Sequence, residues 1–248
     1  MDKWKLQIEK LNYAYRPDLP QVLKDISFSV REGEFISLLG PSGCGKSTLL
    51  NILAGILTDY DGTIRIDGST ISGVSSHFAY MPQNDLLLEW RTILDNICLY
   101  SEIHHWKKEE IPRARELMQR FGLGGRENKY PAELSGGMRQ RAAFLRTALC
   151  EADIYLLDEP FGALDVITRG EMQDWLHELC EGLHKTILLV THDTDEAIYL
   201  SDRILVFGKT GEGIRDEVVI TRENRTREWL FEQGALRSQI HQIISGKC

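Results

Sequence analysis

The chain has 248 residues, 42% of them hydrophobic, enough to enclose a sizeable core in one large domain or two small ones. Its formal net charge of −8, with no Lys/Arg run, disfavours a surface built to grip nucleic-acid phosphates. No apolar run approaches the roughly 18 residues of a membrane span, and Met1 to Leu11 is charged where a secretory leader is apolar, so any membrane contact should run through a partner.

Leu6 to Leu11 and Ile26 to Val30 alternate as half-buried strands do, with Pro17 and Pro20 between them. Phe35 to Leu39 reads as a strand and Leu49 to Leu57 as a helix. Joining those two, Gly40-Pro41-Ser42-Gly43-Cys44-Gly45-Lys46-Ser47-Thr48 fits the Gly-x-x-x-x-Gly-Lys-Ser/Thr phosphate loop. Its glycines let successive N–H groups point inward at phosphates, Lys46 reaches the β and γ oxygens, and the Ser47 hydroxyl ligates Mg²⁺. The helix that follows adds its positive N-terminal end. The pattern predicts binding of a nucleoside triphosphate.

Thr63 to Asp67 is a further strand, closed by Asp67-Gly68, so an antiparallel β layer is expected on both sides of the loop in sequence. Between Asp85 and Glu151 no strand pattern occurs, while Lys107 to Phe121 and Met138 to Leu149 carry apolar residues at helical spacing, the mark of an inserted helical subdomain. Leu134-Ser135-Gly136-Gly137-Met138 opens a helix rich in Arg139, Arg141 and Arg146; that entrance offers hydroxyl and amide donors to an anion.

Ile154 to Leu157 and Thr186 to Thr191 are short continuous apolar runs, as in parallel strands buried on both faces. The first ends in Asp158-Glu159-Pro160, two acids at the carboxyl edge where open α/β sheets place ligands. Asp158 suits Mg²⁺, and Glu159, one residue further, suits the polarising of an attacking water. From Arg222 onward, Trp229, Leu230, Phe231, Leu236, Ile240, Ile243 and Ile244 indicate two short helices interrupted at Gly234. Cys44, Cys98, Cys150, Cys180 and Cys248 form no Cys-x-x-Cys and suit a reducing cytosol.

Together with the phosphate loop and the acidic strand, Ser135-Gly136-Gly137 resembles the signature of the ATP-binding cassette family, and the likeness extends over nearly the whole chain. Gln83 in Tyr80-Met81-Pro82-Gln83 resembles the Q-loop, Ala163-Leu164-Asp165 the D-loop, and His192 in Val190-Thr191-His192-Asp193 the switch histidine. The resemblance implies an α/β fold: a P-loop NTPase, RecA-like core with an antiparallel β layer and an inserted α-helical subdomain. One domain, 1–248, would comprise the core (1–84 and 152–221), the helical subdomain with the signature (85–151) and a short helical tail (222–248).

ATP and Mg²⁺ are the implied ligands, with Ser47, Gln83 and Asp158 around the ion, Glu159 as base and His192 as hydrogen-bond donor to the γ-phosphate. Tyr15 stands where the family puts an adenine-stacking aromatic; Tyr13 is the alternative. The signature of one subunit would cover the nucleotide of a second copy, in a head-to-tail dimer with two like sites. Leu86-Leu87-Leu88-Glu89-Trp90-Arg91-Thr92-Ile93-Leu94-Asp95-Asn96 resembles the segment after the Q-loop in importers of nitrate, sulfonates, taurine and pyrimidine precursors, except that Glu89 replaces a proline. The expectation is a transporter ATPase, cytoplasmic and peripheral on the membrane through a permease docked near Leu86 to Trp90, serving a solute-binding protein indirectly. A soluble cassette ATPase of repair, translation or iron–sulfur assembly is the alternative, and a small-molecule kinase a third reading.

Overall fold

The computed structural model describes residues 4–162, 164–183, 185–221 and 225–246. Ala163, Cys248 and the side chain of Cys180 lie outside the described residues.

Two sheets enclose one helix. The first is antiparallel, with β1 (Trp4–Tyr13) paired to β2 (Leu23–Arg31) on one side and to β4 (Asp61–Ile66) on the other, and β5 (Ser69–Thr70) at its edge. The second has six strands in the order β10 (Ile214–Val219), β9 (Arg203–Phe207), β3 (Phe35–Leu39), β8 (Thr186–Thr191), β7 (Ile154–Asp158), β6 (Phe78–Met81), parallel except for β10. Between the sheets runs α1 (Lys46–Leu53).

The apolar runs of β3, β7 and β8 are continuous because both faces are covered. Ile36, Leu38, Leu156 and Leu188 pack toward α1 and the antiparallel layer, while Phe35, Leu39, Leu157 and Leu189 pack toward the helices on the other side. Those helices are α2 (Ile93–Ile97), α3 (Leu99–Ile103), α4 (Lys107–Arg120), α5 (Gly136–Ala148), α6 (Val166–Leu183), α7 (Thr194–Leu200), α8 (Arg227–Phe231) and α9 (Gly234–Ser245). Phe121, Phe144 and Trp175 meet edge to face and join α5 to α6.

Several elements differ from the sequence expectation. The helix read as Leu49 to Leu57 starts at Lys46 and stops at Leu53, because Gly55 turns the chain at φ 75° against the backbone of Gly73. The tail breaks before Gly234, at Glu232 and Gln233, and Gly234 is the first residue of α9. β6, β9, β10, α2, α3, α6 and α7 were not expected. Of these, β6 has four residues and α2 and α3 five each, too short for periodicity to register.

Candidate functional site

Parallel pairing brings four loops to one edge. β3, β8, β7 and β6 are adjacent, with Leu39 level with Thr191, Asp158 with Val190 and Met81 with Leu157. Their carboxyl ends therefore deliver the phosphate loop, His192, the Asp158-Glu159 pair and Gln83 to a common rim.

In the loop, Gly45 at φ 109° leaves no room for a side chain, since a Cβ would stand 2.6 Å from Leu23 Cδ2. Lys46 is buried and its ammonium donates to Gly40 O at 2.8 Å and Pro41 O at 2.9 Å, so it closes the loop on itself. Phosphate oxygens would compete for those same N–H donors. Cys44 packs in the core, Ser42 and Gly43 face solvent, and Pro41 is half-buried.

Ser47 Oγ donates to Asp158 Oδ1 at 3.1 Å. Burial pushes the Asp158 carboxyl above its usual range; the Ser47 hydrogen bond opposes the rise, the Glu159 charge adds to it and Lys46 lowers it. Glu159 sits at φ 49°, a left-handed conformation that costs a non-glycine residue about 1 kcal/mol. Its N–H donates to Val190 O at 2.9 Å, which holds that turn. Gln83 Nε2 donates to Glu159 Oε2 at 3.1 Å, and His192 Nδ1 stands 3.4 Å from Glu159 Oε1.

Tyr15, Val22, Ser42, Gly43, Gly45 to Thr48, Gln83 and Glu159 line a single cleft of about 330 Å³. Tyr15 is 55% exposed and its hydroxyl shares a hydrogen bond with Thr48 Oγ1 at 3.0 Å, whereas Tyr13 is 8% exposed and meets the Tyr15 ring edge-on at 5.2 Å. Tyr13 is therefore a core residue that backs Tyr15. Val22 gave no signal in the sequence beyond its apolar side chain.

For Mg²⁺, the hydroxyl of Ser47, the carboxylate of Asp158 and the carboxamide of Gln83 are hard oxygen donors close to the lysine of the loop. Among the described residues no group of three His, Cys, Asp or Glu forms a metal cage. Mg²⁺ commonly keeps several waters and takes substrate phosphate oxygens beside one or two carboxylates, the part Asp158 would play here.

Ser135, Gly136 and Gly137 are not brought to this cleft. Ser135 caps α5, accepting from Met138 N–H at 3.4 Å, and with Gly136 it is exposed. The first amides of a helix have no acceptor within it. The arginines of α5 do not add to an anion site: Arg139 pairs with Asp85 at 3.0 Å, Arg141 donates to Phe121 O and Arg146 to the carbonyls of Asp85 and Leu86. In the D-loop stretch, Leu164 is buried and Asp165 caps α6, its Oδ1 accepting from Thr168 N–H at 3.0 Å.

Leu86 and Trp90 are exposed, Trp90 by 74%, while Leu87 between them is core. Buried Asn96 ties this segment down, accepting from Leu88 N–H at 2.7 Å and donating to the carbonyls of Leu88, Arg91 and Thr92. No helix among the described residues is long and apolar enough to cross a membrane.

The ABC transporter family profile matches residues 23–162. An aliphatic sulfonates import ATP-binding protein of Rhodococcus jostii is 45% identical over 87% of this chain and 83% of its own length. A formylaminopyrimidine import ATP-binding protein of Halalkalibacterium halodurans is 44% identical over 84% of this chain and 81% of its own. Among solved structures, a dimeric ATP-binding cassette in a post-hydrolysis state, bound to ADP and Pi, covers 88% of this chain and 100% of its own at 28% identity, with a TM-score of 0.78.

Proposed function

This chain belongs to the ABC transporter family, and from that membership we propose that it is the ATP-hydrolysing subunit of an importer for a small anion or organic solute. The observation that carries the reading is the meeting of Gln83, Glu159 and His192 at the mouth of the phosphate loop. ATP takes the loop, with the adenine on Tyr15, the phosphates on the amides of Gly40 to Thr48 and the ammonium of Lys46. Ser47, Asp158 and Gln83 would hold Mg²⁺, which would supply neutralisation of the phosphate charge.

Glu159 accepts a proton from the attacking water, and His192 donates a hydrogen bond to charge that grows on the γ-phosphate. Freed from Gln83 and His192, the carboxylate turns toward the nucleophile. Two copies pair head to tail, each giving Ser135 to Gly137 to the other's nucleotide, which is why those residues stand apart from their own cleft. ATP closes the pair and loss of the γ-phosphate opens it.

Leu86 and Trp90 present the apolar contact for a permease helix, and the subunit sits on the cytoplasmic face of the membrane through that contact. A solute-binding protein delivers the cargo to the permease. The sulfonate and formylaminopyrimidine relatives support the solute class. Coexpression with a candidate permease tests the reading: the membrane subunit should copurify and solute uptake should depend on ATP. A chain that releases phosphate yet never associates with a membrane subunit would overturn the transporter role.

A further inference from the structure

The C-terminal helices do not line the nucleotide cleft, yet three arginines of the tail reach the helix that follows His192. That helix, α7, opens two residues after the histidine, behind Asp193, whose Oδ1 accepts from the N–H groups of Asp195 and Glu196. Arg237 of α9 pairs through Nε with Asp195 in the first turn of α7. Its Nη2 also donates to Leu230 O at 2.7 Å, so one guanidinium joins α8, α9 and the start of α7.

The other end of α7 is held in the same way. Arg227 lies over the Tyr199 ring at 4.2 Å and donates to Asp174 Oδ1 at 2.7 Å, the oxygen that also accepts the Tyr199 hydroxyl at 2.7 Å. Arg225 donates to Tyr199 O at 3.3 Å. Leu230, Ile240 and Ile243 join the core that contains Ala197, Ile198 and Tyr199.

His192 is two-thirds exposed, and among the described residues its side chain stands within ion-pair distance of Glu159, at 3.4 Å. A side chain so lightly held takes its aim from the backbone on either side. The β8 side is fixed between β3 and β7 at the centre of the sheet. The α7 side is fixed from α6 by Arg169, at 3.7 Å from Asp193 and 3.9 Å from Glu196, and from the tail by the ion pair of Arg237 with Asp195.

We propose that the C-terminal helices are a strap that aims the switch histidine, with Arg237 a positioning residue acting on His192 through Asp195 and α7. The proposal rests on the ATPase reading above. It makes the tail part of turnover although neither α8 nor α9 lines the nucleotide cleft, and it separates turnover from nucleotide binding, which the phosphate loop supplies.

Steady-state hydrolysis by the full chain tests it. Arg237→Ala is expected to lower kcat roughly tenfold, since displacement of a catalytic group by an ångström costs up to about 10²-fold. KM and the ATP dissociation constant should stay within about twofold of wild type, because the loop is unaltered. Arg237→Lys should recover at least half of the lost rate, which a general loss of packing would not allow. Asp195→Asn, which keeps the shape of the first turn of α7, should reproduce the kcat defect if Arg237→Ala melts below the assay temperature. Normal kcat in folded Arg237→Ala or Asp195→Asn, beside an active wild type, overturns the strap alone. A wild type that releases no phosphate overturns the ATPase reading and the strap with it.

Discussion

Gln83 donates its side-chain amide to Glu159 Oε2 across 3.1 Å, although 76 residues separate the two in sequence. His192 stands 3.4 Å from the other carboxylate oxygen. The candidate base is therefore held from both sides by the two residues that the resemblance assigns to the Mg²⁺ ion and to the γ-phosphate. Glu159→Gln keeps the size and hydrogen-bonding outline of the side chain but cannot take a proton from water. Hydrolysis should fall by about 10² to 10⁴, the usual worth of a positioned general base, while ATP affinity stays. Size exclusion in ATP should then show accumulated dimer; a monomer with normal phosphate release would contradict both the base and the paired arrangement.

Lys46 donates to Gly40 O and Pro41 O, so ATP must draw the ammonium off two loop carbonyls. Lys46→Ala removes the direct side-chain cation for the β and γ oxygens. Charge-assisted hydrogen bonds contribute about 1.5 to 3 kcal/mol each, so the dissociation constant should rise at least tenfold. Calorimetric titration giving equal affinity for mutant and wild type would remove the phosphate-loop assignment.

Much of this site was legible from residue order because each motif sits at a strand end, and parallel strands align their ends. Phe35 to Leu39, Ile154 to Leu157 and Thr186 to Thr191 are apolar throughout, and that pattern marks strands covered on both faces. The sheet order was not legible: that β8 lies between the phosphate-loop strand and the acidic strand depends on its distant pairing with β3, which sets Phe35 level with Ile187. Nor did the sequence show which way the α5 arginines turn, since Arg139, Arg141 and Arg146 spend their donors on Asp85 and on carbonyls that only the fold brings near. Tyr13, the alternative to Tyr15 in the sequence, is turned inward by β1, which leaves Tyr15 at the rim.

Ser135 is exposed and absent from its own chain's cleft, which makes it a test of the paired arrangement. Ser135→Arg puts bulk and charge where the partner's γ-phosphate would dock. Loss of the cap on Met138 N–H should cost about 1 kcal/mol, too little to unfold the chain. ATP binding should survive and hydrolysis should fail. Normal turnover in this mutant would reduce Ser135 to Gly137 to a helix cap.

A small charged cluster couples the two sheets. Asp153, just before β7, accepts from His77 Nδ1 at 2.8 Å and from Lys5 of β1 at 3.0 Å, and Lys5 also reaches Asp67 at 2.7 Å. The His77 hydrogen bond holds the Asp153 carboxyl below its usual range; partial burial opposes this and Lys5 adds to it. A depressed carboxyl pKa gives stability that is present above the unfolded value, about 3.9, and is lost as pH falls through the folded value. Asp153→Asn should lower the melting temperature by about 2 °C at pH 7, a loss of about 1 kcal/mol after allowance for the half-exposed carboxylate. The difference should shrink as melts are repeated below about pH 4. A gap that stays constant or widens in acid would show that Asp153 acts through packing.

Trp90 is 74% exposed on a segment that Asn96 and Arg146 hold rigid through the backbone of Leu86, Leu88 and Arg91. An exposed indole on a braced loop contributes little to the fold of the isolated chain, so its packing energy is available to a partner. Aromatic anchors of this kind are frequent hot spots, with truncation costing about 2 kcal/mol or more in binding, a factor of about 30. Trp90→Ala should leave the melting curve and ATP affinity of the isolated subunit unchanged while assembly with the permease weakens and uptake is lost. Leu87→Ala is the contrast, since Leu87 is core and its truncation should destabilise the chain itself by about 2 kcal/mol or more. An intact complex with normal uptake in Trp90→Ala would move the permease contact elsewhere, and a melting loss equal to that of Leu87→Ala would make Trp90 part of the fold after all.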